Sequence, residues 1–251
     1  MPREDKSIGK MARLGRMPAA PIIMKAPPRQ SESAAREEIC RVGLWMWERG
    51  FVCGREGNIS LRLASGRVLC TPTEISKGAM KPADLAVLDE QGQQLSGRLP
   101  VTSEFRLHLQ IFRTSPTVMA VVHAHPPCAT AFAVARKRPP AGVQPEVEML
   151  LGPIGLAAYR TPGTNAVAVG AAAHVKAGAR AVLLSNHGAV TVGRTLLRAW
   201  WRLETLERYC QVLLLSAPLG GPRPLTAEQL AELLAMKRQM GLADPRNRQR
   251  E

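Results

Sequence analysis

The sequence predicts an α/β domain, and three observations carry that prediction. Segments with helical periodicity intermingle with short apolar runs bounded by turn residues, so helices and strands belong to one unit. Hydrophobic residues make up 45% of 251 positions but aromatics only 4%, so a full core must be built from Ala, Val, Leu and Ile. Five scattered cysteines, Cys40, Cys53, Cys70, Cys128 and Cys210, form no C-x-x-C pair, so neither a disulfide framework nor a cysteine-rich zinc site holds the chain. Unpaired thiols fit a reducing setting, and the expected location is cytoplasmic.

The elements follow in order. Residues 1–32 read as a disordered basic arm, rich in proline and carrying seven basic residues against two acidic ones in the first thirty positions. Met11, Met17 and Met24 are further candidate translation starts. The globular part is expected over 33–240, with a flexible tail over 241–251. Ser33, followed by Glu37, Ile39, Val42, Leu44 and Trp45, reads as a capped amphipathic helix ending at Gly50. Residues 58–62 and 67–71 read as strands joined by a turn at Ser65-Gly66, and 85–88 as another strand before a turn at 90–92. A helix is expected over 103–113, a dense apolar strand over 119–123 and a small-residue helix over 128–135. Then come a strand at 156–159, an Ala-rich helix at 166–177, strands at 181–185 and 189–192, and a long helix at 196–215. Thr226 and Gln229 form a capping box that opens a last helix to residue 240.

Charge and hydropathy narrow the function. A net charge of +14 favours anionic ligands. No basic run with interleaved aromatics appears, which argues against nucleic acid as the main partner. The best apolar stretch, 118–135, is broken by His123, His125, Pro126 and Pro127, which argues against a membrane span.

The strongest chemical signal is His123-Ala124-His125 at the end of an apolar strand. Alternate residues of an extended chain point the same way, so both imidazoles can meet one ion, and neutral imidazole suits Zn, Fe, Co, Ni or Cu. His187 lies between two apolar strands beside Gly188, which permits a tight turn. Glu104 opens a predicted helix just before the histidine strand; three imidazoles plus a carboxylate complete a four-coordinate site with one exchangeable position. Taken singly, each signal also fits a turn histidine or a helix-capping acid. Thr102 and Ser103 place hydroxyls and free N–H groups beside Glu104, a natural anion pocket. Gly57-Asn58 and Thr71-Pro72-Thr73 add turns that let backbone and hydroxyl groups approach an anion.

These segments together resemble the class II aldolase/adducin family, in particular its L-fuculose-phosphate-aldolase-like bacterial members. The matching stretches are GREGNISLRL (54–63), TPTEISKGAMKPADLAVLD (71–89), LPVTSEFRLHLQIF (99–112), VVHAHPPCATAFAV (121–134), PEVEMLLG (145–152), YRTPGT (159–164), LLSNHGAVTVG (183–193) and LETLERY (203–209). The resemblance implies a three-layer α/β/α fold with a mostly antiparallel central sheet. It implies Zn²⁺, or another divalent transition metal, on His123, His125, His187 and Glu104, with Glu104 also the general base. It implies a substrate phosphate at Gly57, Asn58, Thr73, Thr102 and Ser103. The implied reaction is retro-aldol cleavage of a phosphorylated ketose through a metal-stabilised enediolate, in a homotetramer with active sites between subunits.

The pattern also departs from the family. Glu74 stands where the fuculose-phosphate enzyme has glycine after the TPT turn, and Arg55 replaces a smaller hydroxyl residue. The segment 145–152, which aligns with the source of a catalytic tyrosine, has none; it offers Glu146 and Glu148, and Tyr159 matches a different position. His108 and His174 read as structural. Epimerisation of a pentulose phosphate and dehydration at the same metal are alternative reactions, and a non-catalytic adducin-like binding module is the alternative outside enzymes.

Overall fold

The computed structural model describes residues 30–246. Most of the expected basic arm, residues 1–29, and the end of the expected tail, 247–251, lie outside the described residues. Among the described residues no helix is long and apolar enough to cross a membrane.

Helix α1 (Glu32–Glu48) is capped by Ser31, whose hydroxyl accepts from the Ala34 N–H, so the helix starts earlier than Ser33 suggested. The chain then runs β1 (Asn58–Arg62), β2 (Val68–Cys70), β3 (Ala86–Leu88) and β4 (Gln94–Ser96). Next come α2 (Phe105–Thr114), β5 (Ala120–Ala124), α3 (Pro127–Val134), α4 (Pro145–Leu150) and β6 (Gly155–Ala157). It closes with α5 (Asn165–Lys176), β7 (Ala181–Leu184), β8 (Gly188–Gly193), α6 (Leu196–Ser216) and α7 (Ala227–Gln239). The sequence did not foresee β4 or α4. The Thr226–Gln229 capping box forms with both of its hydrogen bonds, at 2.9 and 3.2 Å.

The eight strands among the described residues form one sheet in the order β4-β3-β2-β1-β5-β8-β7-β6. Every pairing is antiparallel except β6 with β7. Side chains alternate across each strand, so the sheet has two apolar faces and each needs a helical cover. On β5, Ala120, Val122 and Ala124 belong to the core under α1, α3 and α6. Val121, from the other face, joins the core under α2 and α5. The result is the expected three-layer α/β/α arrangement with a mostly antiparallel sheet. By the same alternation His123 points toward the layer that carries α2, and α2 begins directly after Glu104.

Part of the segment expected as a flexible tail is anchored. Asp244 is 4% exposed, and its carboxylate accepts from Lys237 Nζ at 2.6 Å and from Arg246 Nη2 at 2.8 Å. Arg246 reaches on to Glu148 of α4 at 2.5 Å, and the Lys237 ammonium donates to the Glu148 carbonyl. A lysine and an aspartate buried side by side hold this stretch to α4 and α7.

Candidate metal centre

The strand register assembles the site. Asn58 on β1 lies opposite His123 on β5, and His123 lies opposite Val190 on β8. His125 follows β5, and its N–H donates to the Phe51 carbonyl at 3.0 Å. His187 sits in the β7–β8 turn after Asn186, which holds φ at 58°. Gly188 is required there for packing: a Cβ would lie 2.4 Å from His125 Cδ2 and 2.6 Å from the Ala124 carbonyl. Glu104 is the N-cap residue of α2, yet its side chain makes no capping bond and turns toward the histidines instead.

The three imidazoles meet. Their ring centroids are 4.8, 4.9 and 5.0 Å apart, and one nitrogen from each lies within 4.8 Å of the other two. Glu104 Oε2 is 3.1 Å from His123 Nε2, and Oε1 is 3.6 Å from His187 Nε2. The Asn58 amide donates to Oε2 at 2.9 Å. His123 is fully buried, and its Nδ1 lies 3.0 Å from the Ala189 carbonyl. A carbonyl only accepts, so Nδ1 carries hydrogen and Nε2, which faces Glu104 and lies 3.3 Å from His125 Nε2, is the atom that takes either a proton or a cation.

The electrostatics agree with that geometry. Burial opposes charge on His123, but the Glu104 carboxylate beside it raises its pKa above the ordinary value. Burial and the His123 charge push His187 down to about 4, and they lower His125 as well. Burial alone would raise Glu104; His123, His187 and the Asn58 amide overcome it and hold the carboxyl well below the usual range.

These residues fit a divalent cation. Inward lone pairs of several imidazoles beside a carboxylate repel one another without a cation among them. Glu104 Oε1 and His187 Nδ1 are buried with no hydrogen-bond partner. The proton that His123 holds against Glu104 is the one such a cation would displace.

The other predicted residues fall around this centre. Gly57 has φ +72°, and a Cβ there would lie 3.0 Å from the His123 carbonyl. Asn58, expected at a phosphate, is 3% exposed and is engaged by Glu104 because its strand position faces His123. Thr102 is buried, and its hydroxyl accepts from the Glu104 N–H at 3.4 Å, whereas Ser103 is exposed. Thr73 is half-buried, and its N–H donates to the Pro100 carbonyl at 2.9 Å, which ties the TPT turn to the chain before Glu104. Glu74 holds φ at +60°, a conformation that suits the glycine it replaces. Its carboxylate pairs with Arg55 at 3.7 Å on the surface, so the two departures from the family pattern neutralise each other.

Two residues went unnoticed in the sequence. Glu56 Oε2 lies 3.4 Å from His125 Nδ1 and accepts from the Cys53 N–H at 3.1 Å. It sits where an acid would orient that ring toward the centre. Lys77 is 1% exposed, donates to the Arg55 and Ile75 carbonyls at 3.1 and 2.8 Å, and is pushed by burial down to about 8. It clamps the 53–57 loop to the TPT turn. His108 is buried against Ser60 Oγ at 2.8 Å, close enough to feel the charges of His123 and Glu104, and His174 packs on Gly155.

Comparison with known proteins agrees with the fold. The model of the class II aldolase and adducin N-terminal domain matches residues 37–214. A 3-oxo-tetronate 4-phosphate decarboxylase of Escherichia coli is 34% identical over 209 residues, which is 80% of this chain and 96% of that protein. An L-fuculose phosphate aldolase of Methanococcus maripaludis is 31% identical over 175 residues, 70% of this chain and 92% of that protein. Among solved structures, YgbL from Klebsiella pneumoniae superposes with a TM-score of 0.75 at 31% identity, covering 81% of this chain and 99% of its own. An L-fuculose 1-phosphate aldolase superposes with a TM-score of 0.77 at 29% identity, covering 86% and 100%. The chain belongs to the class II aldolase and adducin family.

Proposed function

We propose that this protein is a divalent-metal-dependent carbon–carbon lyase acting on a phosphorylated ketose by retro-aldol cleavage. The observation that carries the reading is the convergence of three imidazole nitrogens with a half-buried, ionised Glu104 whose buried Oε1 has no hydrogen-bond partner. His123, His125, His187 and Glu104 would hold the cation, with zinc suited to this donor set. A cation held there supplies Lewis-acid polarisation of the substrate carbonyl.

The chain's own residues do the proton chemistry. Glu104, kept ionised by His123 and His187, accepts the proton of the substrate hydroxyl two carbons from the carbonyl. The bond between the hydroxyl-bearing carbon and the carbon next to the carbonyl then breaks. Its electron pair stays on the latter carbon, and an aldehyde departs. Glu104 returns the proton to that carbon, so no proton is gained or lost. Asn58 keeps Oε2 oriented during both transfers. Gly57, Thr73, Thr102 and Ser103 are assigned to the substrate phosphate, with Asn58 closing the same pocket. In this reading the protein is a cytoplasmic homotetramer with active sites at subunit interfaces; exposed Trp47 and Leu215 provide apolar surface for such contacts.

Decarboxylation of a 3-oxo sugar-acid phosphate is the second reading. Similarity to the decarboxylase over nearly its whole length favours it, as does a 145–152 segment without tyrosine, in which Glu148 is locked by Gly142 and Arg246. Carbon dioxide leaves without a hydroxyl proton being removed, so the electron pair left on the neighbouring carbon takes up one proton from solvent water, and Glu104 would act only in relaying that proton to the product carbon. Metal-loaded protein assayed on ketose 1-phosphates and on 3-oxo acid 4-phosphates separates the two: aldehyde release supports the aldolase, carbon dioxide release the decarboxylase. Full cleavage by a Glu104→Gln protein contradicts both.

A further inference from the structure

A cavity lies away from the metal centre. It encloses about 120 Å³ and is lined by Arg180, Arg198 and Arg202 together with Trp201, Leu150 and Leu242. Arg180 immediately precedes β7, whereas His187 follows the far end of that strand. At about 3.3 Å per residue, Arg180 is at least about 13 Å from the end of β7 nearer the metal site.

The guanidinium groups are fixed in place. Val192 N donates to the Arg180 carbonyl at 3.1 Å, and the Val192 carbonyl accepts from Arg202, so both arginines meet one rung of the sheet. The Arg180 side chain donates to the carbonyls of Leu150 and Ala243. Neither Arg180 nor Arg202 forms an ion pair among the described residues. Asp244 attracts Arg180, but its carboxylate is already held by Lys237 and Arg246. Among the described residues only the Leu150, Ala243 and Val192 carbonyls accept from these two guanidinium groups, so most of their ten N–H donors have no acceptor there.

The arrangement costs the protein energy. Burial and the charges of Arg180 and Arg198 push Arg202 down to about 9, and Arg180 is lowered as well. Arg198 lies in the first turn of α6, at the positive end of the helix dipole. Trp201 and Leu150, 50% and 48% exposed, form an apolar wall that the core does not use. Nothing in the metal-site chemistry calls for these groups.

We propose that this cavity binds the phosphate of a small phosphomonoester whose apolar part rests on Trp201. Planar guanidinium forks match phosphate oxygens in pairs. A dianion would neutralise the mutual repulsion of Arg180 and Arg202. The recess is small and half-open, so it admits one phosphate group with the rest of the ligand lying against Trp201.

The test is calorimetric titration of the full, metal-loaded chain with phenyl phosphate, inorganic phosphate and phenol, with tryptophan fluorescence followed in parallel. Saturable binding of phenyl phosphate is expected, weaker for inorganic phosphate and absent for phenol. Arg202→Gln and Arg180→Gln should each weaken it about tenfold or more, the scale of a lost charge-assisted hydrogen bond. Trp201→Phe should abolish the fluorescence response. His187→Asn should leave binding unchanged, which separates this site from phosphate taken up at the metal centre. If Arg202→Gln fails to fold, Arg202→Lys, which keeps charge but loses the fork, should still bind more weakly. Absence of saturable binding, binding indifferent to both arginine variants, or binding lost in His187→Asn would overturn the proposal.

Discussion

Asn58 and Glu104 are joined at 2.9 Å, the amide of one strand residue holding the carboxylate that precedes α2. The contact exists because Asn58 is the cross-strand neighbour of His123, so both side chains face the same layer. It leaves Glu104 with one oxygen tied to Asn58 and the other unpartnered among the imidazoles. Asn58→Ala should free the carboxylate and lower divalent-metal affinity about 10- to 100-fold, as groups that orient metal ligands typically do. Chelator competition measures this directly, and unchanged affinity would show that Glu104 is positioned without Asn58.

The pH dependence of metal binding has a definite sign. The His123 pKa is raised, so a proton competes with the cation below that pKa, and affinity should fall as pH drops through it. His187, pushed down to about 4, should add no proton competition until far lower pH. As pH falls below the raised His123 pKa the logarithm of affinity should therefore change with a slope of about one per pH unit at most, because the other two imidazoles are shifted the opposite way. A slope near two would mean that His187 or His125 also releases a proton.

Gly188→Ala tests the packing of the site. Its Cβ would meet both the His125 ring and the Ala124 carbonyl, and the carbonyl cannot move without disturbing the β5–β8 ladder. Overpacking of this kind costs roughly 1–3 kcal/mol. Denaturant unfolding should show the loss, and metal uptake should fall with it because His125 is displaced. Wild-type metal affinity in this variant would contradict the assigned ring position.

The Lys237–Asp244 pair gives a prediction remote from the metal. Asp244→Asn leaves a buried ammonium without its counter-charge, a change that costs about 3–5 kcal/mol. The Asp244 pKa is depressed in the folded protein. Its contribution is therefore complete above the unfolded value of about 3.9 and is lost as pH falls toward the folded one. Unfolding at neutral pH should expose the destabilisation, and the difference between variant and wild type should shrink in strong acid. A difference independent of pH would assign the effect to packing alone.

The sequence was most legible where one period decides the outcome. His123 and His125 could be read because they stand at the end of an apolar strand, and the Thr226–Gln229 box because capping is local. Strand β4 was not, because Gln94-Leu95-Ser96 is short, polar and at the sheet edge. Helix α4 is only six residues long, and Glu148 owes its burial to Lys237 and Arg246, which lie far along the chain. Glu56 and Lys77 escaped notice for the same reason: their partners come from loops whose paths no local pattern specifies. Asn58 was legible as a site residue, but its partner was not, since the register of β1 on β5 decides which way the amide points.

The most direct test is metal content. Full-length protein loaded with zinc and dialysed against metal-free buffer should retain about one equivalent per chain by elemental analysis, and His187→Asn or His123→Asn should lose most of it while still folded. A well-folded wild-type chain that holds no divalent ion, or histidine variants that keep it, would contradict a centre built by His123, His125, His187 and Glu104.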